Sequence, residues 1–329
     1  MSLTFNFTER FIISKIYINY NNDKFFLLER GRLLNFDALK TFVTLAEVKH
    51  FTKTAEILAM SQPNVSLHIK NLENELQSKL FTRTPKNLHL TSTGELLYER
   101  AKQIISITEK TKQDILDHHH TVKGTIKIGA SFTIGEYLIP SLIYDVQQKY
   151  PDLEIQVIIG NTEEIVNHVK LFEVDLGLIE GQTNDKEVKT LAFMEDELLI
   201  VASPDHPITN KKSVSISDLQ NQTWIRRETG SGTREYLEHV IRSNGLKVNS
   251  FLTISSNQGV KELIMRDMGL SLLSYSVVKR EVELGLLSVI PLDEQSFTRA
   301  FSYVYLPMMT DKRNVQAFIN AIQHRYTTL

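Results

Sequence analysis

Two short helical patterns joined by a tight turn occupy residues 51–76, and this segment constrains the fold more than any other. Ser61 is placed to cap the second helix, and Pro63 lies in its first turn, where a missing N–H costs nothing. An apolar stripe at helical spacing predicts the buried side of that helix and consists of Val65, Ile69, Leu72 and Leu76. Two helices in this arrangement can lay the second one in the major groove of DNA.

The composition limits which classes of protein the chain can belong to. Its 329 residues exceed one small domain, and its net charge of -2 argues against a protein that coats nucleic acid without specificity. Any DNA contact must therefore come from a local group of residues. The absence of cysteine excludes disulfides and cysteine-based zinc sites. We expect a cytoplasmic protein with no membrane partner, because no signal-peptide pattern or membrane-spanning apolar run is visible.

Residues 1–33 differ from the rest of the chain, since they are rich in Phe, Ile, Tyr and Asn and have no sustained period. One interpretation is a floppy N-terminal tail. The other is an N-terminal extension created by a mis-set start site, with residues 29–32 encoded by a ribosome-binding-type stretch and Leu33 or Leu34 by an alternative start codon.

Residues 34–92 are predicted to form a winged helix-turn-helix domain. A first amphipathic helix covers 36–48, and residues 80–91 alternate apolar and polar side chains around a turn, as a two-stranded wing does. The candidate DNA-binding side chains are Gln62, Pro63, Asn64, Ser66, His68, Lys70, Arg83 and Lys86. Gln and Asn can bond adenine edges, and the two basic wing residues suit phosphates or the minor groove. The alternative is a helical hairpin whose polar face is only solvated.

This domain contains three motif segments in succession: Ala55…Ser61-Gln62-Pro63-x-Val65-Ser66-x-x-Ile69-x-x-Leu72-Glu73-x-x-Leu76, then Leu80-Phe81-x-Arg83, then Leu90-Thr91-x-x-Gly94. Together they resemble the N-terminal signature of LysR-type transcriptional regulators. Together with the remaining domains, the resemblance covers residues 34–329. It implies that Gln62, Pro63, Ser66 and Lys86 lie at bases or backbone and Arg83 near phosphate. Leu67 departs from it, because many members carry Arg there, and this suggests a different, A·T-leaning operator.

A helix suited to pairing comes after the wing. Its seam alternates spacings of four and three, as in a coiled coil, and consists of Leu97, Ala101, Ile104, Thr108, Thr111 and Ile115. The resemblance implies the family's dimerisation linker helix at 93–122, and a helix buried within one domain is the alternative. We interpret His118–His120 as an exposed helix end, because consecutive histidines on a helix rarely share one ion. We expect no metal and no cofactor.

Strands and helices alternate from residue 124 to the end, which predicts parallel sheet covered by helices. We expect strands at 125–130, 153–159 and 174–179, helices at 135–149 and 162–171, and a second set of strands starting at 197–202. The pattern at 124–329 matches two α/β lobes with a cleft between them, and it resembles type 2 periplasmic binding proteins and the effector-binding domain of LysR regulators. Lobe I would span about 124–194 and 301–329, and lobe II about 195–300.

Ligands of such sheets bind at the carboxyl ends of strands. Hydroxyls or amides lie there before three predicted helices, and helix N-termini attract anions. The candidate effector-binding residues are Ser131, Thr133, Glu180, Thr233, Arg234, Ser256 and Asn257. Plain helix capping is the alternative for each. Convergence on one cleft favours a single small anion as effector, because Glu180 could oppose a second negative group.

The stretch Glu228-x-Gly-Ser-Gly-Thr-Arg234 resembles the LysR regulators of sulfur assimilation or carbon dioxide fixation, and residues 124–181 resemble the sulfur branch. That resemblance implies sulfite, sulfate or a related metabolite as effector. It also implies a dimer, or a tetramer, on operator DNA, and RNA polymerase as a partner if the protein activates transcription.

We do not expect an enzyme, because no hydrolase elbow, phosphate loop or zinc-protease motif is present. A solute-binding receptor is the alternative function, but it leaves residues 34–92 unexplained.

Overall fold

The computed structural model describes residues 34–83, 88–116, 122–292, 295–309 and 312–326. The chain divides into two compact units, Met1–Ala101 and Lys102–Leu329. Within the described ranges, no helix is both long enough and apolar enough to cross a membrane. The N-terminal extension at 1–33 and the histidine run at 118–120 lie outside the described residues.

The first unit contains the predicted winged helix-turn-helix, which is confirmed. Its elements are α1 (Phe36–Val48), α2 (Phe51–Ile57), α3 (Gln62–Glu75), β1 (Phe81–Arg83) and β2 (Leu88–Leu90), followed by α4 (Ser92–Leu116). The wing strands are antiparallel, with Phe81 opposite Leu90. Phe42 is fully buried and its ring packs 5.4 Å from that of Phe81, so the wing is held against the helices.

The helix α4 runs for 25 residues, and its predicted seam divides between two environments. Leu97 and Ala101 are already buried within the single chain, whereas Ile104 is exposed. The Thr108 and Thr111 hydroxyls donate to carbonyls one turn earlier in the helix. The surface left for a partner helix therefore begins near Ile104.

The second unit is built from one curled sheet, a two-stranded sheet and seven helices among the residues described. Its elements are β3 (Gly124–Ser131), α5 (Phe132–Tyr137), α6 (Ile139–Lys149), β4 (Leu153–Gly160), α7 (Thr162–Lys170), β5 (Leu176–Glu180), β6 (Lys189–Ala202), β7 (Gln222–Arg226), α8 (Gly232–Ser243), β8 (Val248–Thr253), α9 (Asn257–Met265), β9 (Ser271–Ser274), α10 (Tyr275–Glu283), β10 (Ser288–Val289), β11 (Phe297–Tyr305) and α11 (Arg313–Tyr326).

The helix predicted at 135–149 is wrong in one respect, because the structure divides it into α5 and α6. Pro140 lies in the first turn of α6, where it cannot donate an N–H to the preceding turn. The result is a short α5 that begins directly at the end of β3 and carries Thr133.

Two long strands join the two halves of this unit. The sheet order is β10-β6-β11-β5-β3-β4, with β9 also paired to β6. The strands β6 and β11 are antiparallel from Phe297 opposite Leu198 to Tyr305 opposite Lys189. On β6, Phe193 enters the hydrophobic core under α6 and α11, whereas Leu198 enters the core under α8. The strand β6 begins at Lys189, earlier than the expected 197, because its first half is largely exposed and lacks an apolar pattern.

Both ends of α7 contact other elements of the second unit. Near its C-terminus, the side chain of Gln103 donates to the backbone oxygen of Lys170 at 3.2 Å, and Lys102 forms an ion pair with Glu173. At its N-terminus, the Glu163 N–H donates to the Gly230 oxygen at 3.2 Å. The helix α7 therefore connects the loop before α8 with α4.

Candidate functional site

The helix α3 presents a polar surface to solvent. Its cap Ser61 accepts from the Asn64 N–H at 3.4 Å, and its buried stripe packs inward. Four of the predicted DNA-binding residues are exposed, and these are Gln62, Pro63, Asn64 and Lys70. Ser66 is half-buried and accepts from the Gln62 amide at 2.9 Å, so these two side chains lie side by side.

His68 lies differently from the other residues of this group. Its Nδ1 lies 2.8 Å from the Thr41 hydroxyl of α1. The same hydroxyl lies 2.8 Å from the Asp37 carbonyl oxygen, so it joins the His68 ring to the backbone of α1. The His68 ring thus fixes α3 against α1.

The basic wing residues are placed only in part. Arg83 ends β1, at the edge of the wing. Lys86 lies outside the described residues. Their contact with DNA stays a prediction.

In the second unit, two predicted hydroxyls lie at the carboxyl end of β3. Ser131 and Thr133 are each about 1% exposed, and neither hydroxyl oxygen has a hydrogen-bond partner within the protein. A buried polar group without a partner costs about 1–3 kcal/mol. Two such hydroxyls therefore lie two residues apart where β3 passes into α5.

Glu180 ends β5 beside these hydroxyls and is buried among donors. Its Oε1 accepts from the Thr133 N–H at 3.1 Å, and its Oε2 accepts from the Thr233 hydroxyl at 2.7 Å. Arg299 Nη1 lies 2.8 Å from the same Oε2. The structure therefore brings Thr133, Glu180 and Thr233 together, with Ser131 two residues before Thr133, and a protein carboxylate already uses two of the expected anion donors.

Arg299 and Asp196 complete this cluster and were missed by the sequence reasoning. Arg299 Nε donates to Asp196 at 2.9 Å, and its Nη2 is buried without a partner. Asp196 also accepts from the Ser274 hydroxyl at 2.5 Å. The sequence did offer a signal for this cluster, because Asp196 and Arg299 are charged residues that each lie on a long strand. Both residues, however, lie where the sequence pattern predicted a loop or the end of a strand.

The two carboxyl groups that share Arg299 have opposite pKa shifts. Burial by itself raises the pKa of Glu180, but the Arg299 charge and the hydrogen bonds from the Thr233 hydroxyl and the Thr133 backbone N–H outweigh it and lower the pKa to about 2. Burial raises the pKa of Asp196, and Arg299 offsets this only in part. Glu180 therefore holds a negative charge near neutral pH in the centre of the cluster.

The other predicted effector residues have partners of their own. Arg234 donates to Glu238 at 2.7 Å and to Thr229 at 3.1 Å, and Ser256 caps α9 by accepting from the Gly259 N–H. Ser256 thus matches the plain-cap alternative.

Asn257 belongs to a second buried group around Arg227. The side chain of Asn257 is fully buried and accepts from Arg227 at 2.6 Å. Arg227 forms two hydrogen bonds with Glu228 and stacks 4.5 Å from the Phe132 ring. Its guanidinium is therefore occupied by partners of the protein itself.

A cavity of about 530 Å³ lies next to the Glu180 cluster. Thr162 lines it and also donates to the Glu180 backbone oxygen at 3.5 Å. Glu163, Ser231 and Arg234 line the same cavity. The described residues contain no group of three or more His, Asp or Glu side chains arranged to hold a metal ion.

Both parts of the chain match known protein families. Residues 36–95 match the family described as bacterial regulatory helix-turn-helix protein, lysR family, and residues 119–327 match the LysR substrate binding domain. The chain is 50% identical over 291 residues to the HTH-type transcriptional regulator CysL of Bacillus subtilis, covering 88% of this chain and 97% of that protein.

Two solved structures are similar in fold. The regulatory domain of Synechocystis CcmR in complex with 2-PG has a TM-score of 0.59 and 26% identity, covering 63% of this chain and 99% of that one. Full-length OxyR from Pseudomonas aeruginosa has a TM-score of 0.65 and 22% identity, covering 88% of this chain and 94% of that one. Together with the winged helix-turn-helix and the two-lobed α/β domain, these matches show that the chain belongs to the LysR family and is a transcriptional regulator with an effector-binding domain.

Proposed function

We propose that this regulator senses a small, singly charged oxyanion bound at the Glu180 cluster. The observation that carries the proposal is a set of buried donors without partners around one strand end, namely the Ser131 and Thr133 hydroxyls and Arg299 Nη2. Three hydrogen bonds to a bound ligand would offset the free-energy cost of burying these three donors.

The charge of Glu180 restricts which anions fit. A dianion would face an ionised carboxylate that is bonded to Arg299 and Thr233, and like charges at contact distance repel strongly. A monoanion that carries a hydroxyl can donate its proton to Glu180 while its oxygens accept from the free donors. Hydrogen sulfite has this chemistry, whereas sulfate has no proton to donate near neutral pH. The resemblance to sulfur-related regulators agrees with a sulfur oxyanion.

The effector assignment is tested with Thr133→Val, which replaces the free hydroxyl by a methyl group of similar size. We expect DNA binding to remain while the response to sulfite is lost. Thr54→Val is the matched control, because Thr54 also has a buried hydroxyl without a partner but lies in α2. DNA binding is followed by gel shift with sulfite, sulfate or no addition. An unchanged sulfite response in Thr133→Val would remove this site from the proposal.

The outward side of α3 is proposed to read operator DNA in the major groove. Gln62, Asn64 and Ser66 would contact base edges, while Lys70 and the wing residues Arg83 and Lys86 would contact the backbone. Gln62→Ala or Ser66→Ala should reduce discrimination between operator and random DNA by about 1–3 kcal/mol. Gln148→Ala, an exposed glutamine on α6, is the matched control. Equal discrimination by all three variants would contradict this interface.

Dimers are proposed to form along α4, from Ile104 onward, and to pair two half-sites of an operator. Such a protein acts where the chromosome lies, in the cytoplasm, and an activator would contact RNA polymerase. A ligand that binds one arrangement of the second unit better than another shifts the population of DNA-bound states. Sedimentation of Ile104→Lys against wild type tests the helix: a charge on the seam should weaken the dimer, and unchanged association would exclude this surface.

A further inference from the structure

We propose that Leu67 is a specificity-determining residue that recognises the C5 methyl group of a thymine in each half-site of the operator. The inference deepens the proposed function and depends on α3 being the helix that reads bases. It concerns one leucine side chain on a surface that carries mainly polar residues.

The position of Leu67 on α3 is the first observation. Its side chain is 52% exposed, whereas Val65 and Ile69, two residues away on either side, are almost fully buried. Residues two apart on a helix lie about 200° apart around its axis, so Leu67 points directly away from the core. Pro63 and Lys70 are its neighbours one turn before and after, and both are exposed. Leu67 therefore occupies the centre of the outward face.

Its chemistry is the second observation. An exposed leucine is uninformative on an ordinary surface, but this one is placed beside side chains that carry amides, hydroxyls and an ammonium group. Gln62 and Ser66 already bond each other at 2.9 Å, whereas the exposed side chain of Leu67 carries no hydrogen-bonding group and can offer only apolar contact.

Only one major-groove feature suits such a side chain. The edges of guanine, cytosine and adenine offer hydrogen-bond donors and acceptors, and a leucine against them would remove water without replacing its bonds. Thymine offers a methyl group at the same depth of the groove. Contact between the two removes apolar surface from water on both sides.

The test removes that methyl group and nothing else. An operator is obtained by selecting bound sequences from random DNA with the full-length protein, and each thymine is then replaced in turn by deoxyuridine. At one thymine per half-site we expect wild-type affinity to fall about fourfold, and about fifteenfold when both half-sites are replaced. The variant Leu67→Ala should bind the thymine and deoxyuridine operators equally. Leu284→Ala is the matched control, because Leu284 is 62% exposed but lies after α10 in the second unit; it should keep the wild-type penalty.

A second variant separates loss of the methyl contact from loss of discrimination caused by an altered α3 helix. Leu67→Arg should enrich guanine at the same position in a repeated selection, because Arg bonds the guanine edge. The inference is overturned if no deoxyuridine weakens the wild type, or if Leu67→Ala keeps the full penalty. Failure of the proposed function has a different signature: the wild-type selection would return no common sequence at all.

Discussion

Replacement of Glu180 by Gln tests whether the buried carboxylate holds the second unit together. Gln keeps the size of the side chain but removes the charge that Arg299 and Thr233 stabilise. A pKa lowered from 4.5 to about 2 corresponds, at about 1.4 kcal/mol per pKa unit, to about 3 kcal/mol of stability near neutral pH. Removal of one partner from a buried ion pair generally costs about 3–5 kcal/mol, which agrees with this value.

The unfolding of this unit can be followed without interference from the first. Trp224 is the single tryptophan of the chain, lies in β7 and is fully buried, so its fluorescence reports only on the second unit. At an m value of about 2 kcal/mol/M, a loss of about 3 kcal/mol lowers the urea midpoint by about 1.5 M. Glu197→Gln, on an exposed residue of the strand β6, should leave the midpoint unchanged.

The pH dependence gives the sharper test. Because folding lowers the pKa of Glu180, its contribution is complete above pH 4.5 and is lost as pH falls through about 2. The gap between wild type and Glu180→Gln should therefore close on acidification. A gap that is absent near neutral pH, or that widens in acid, would refute the assignment of a stabilising charge at Glu180.

Three further changes test other parts of the second unit. Asp196→Asn should leave the Trp224 urea midpoint at or above the wild-type value near neutral pH, because burial raises the pKa of Asp196 and its charged form is disfavoured; a large loss would contradict that sign. Gly232→Ala should destabilise by about 1–3 kcal/mol in the same assay, because the added Cβ would lie 2.5 Å from the Glu180 carbonyl oxygen. Glu173→Gln, which removes the ion pair with the linker helix, should leave sulfite binding intact by calorimetry but reduce the sulfite effect in gel shifts; an unchanged effect would exclude this connection.

Local patterns in the sequence predicted the DNA-binding unit well. The cap at Ser61 and the apolar stripe of α3 depend only on residues a few positions apart, and these interactions are the same in any context. The location of Glu180 at a strand end came from the same kind of pattern. The division of one predicted helix at Pro140 shows that a proline can interrupt a helix even where the apolar period continues through it.

The composition of the Glu180 cluster could not be read in the same way. Arg299 meets Asp196 and Glu180 across two strand pairings that join residues more than a hundred positions apart. Nothing in the local sequence of either strand fixes that register, because it depends on how the chain returns through the second half of the unit. The partner of a buried charge is a property of topology, and a single sequence reveals it poorly.

The long pairing of β6 with β11, which shifts register once between Phe301 and Ser302, has a mechanical consequence for signalling. A receptor whose halves are joined by loose loops can swing widely at little cost, but here a wide swing would break ladder hydrogen bonds in the middle of a sheet. The two arrangements between which a ligand selects should therefore differ by small displacements that keep this ladder intact.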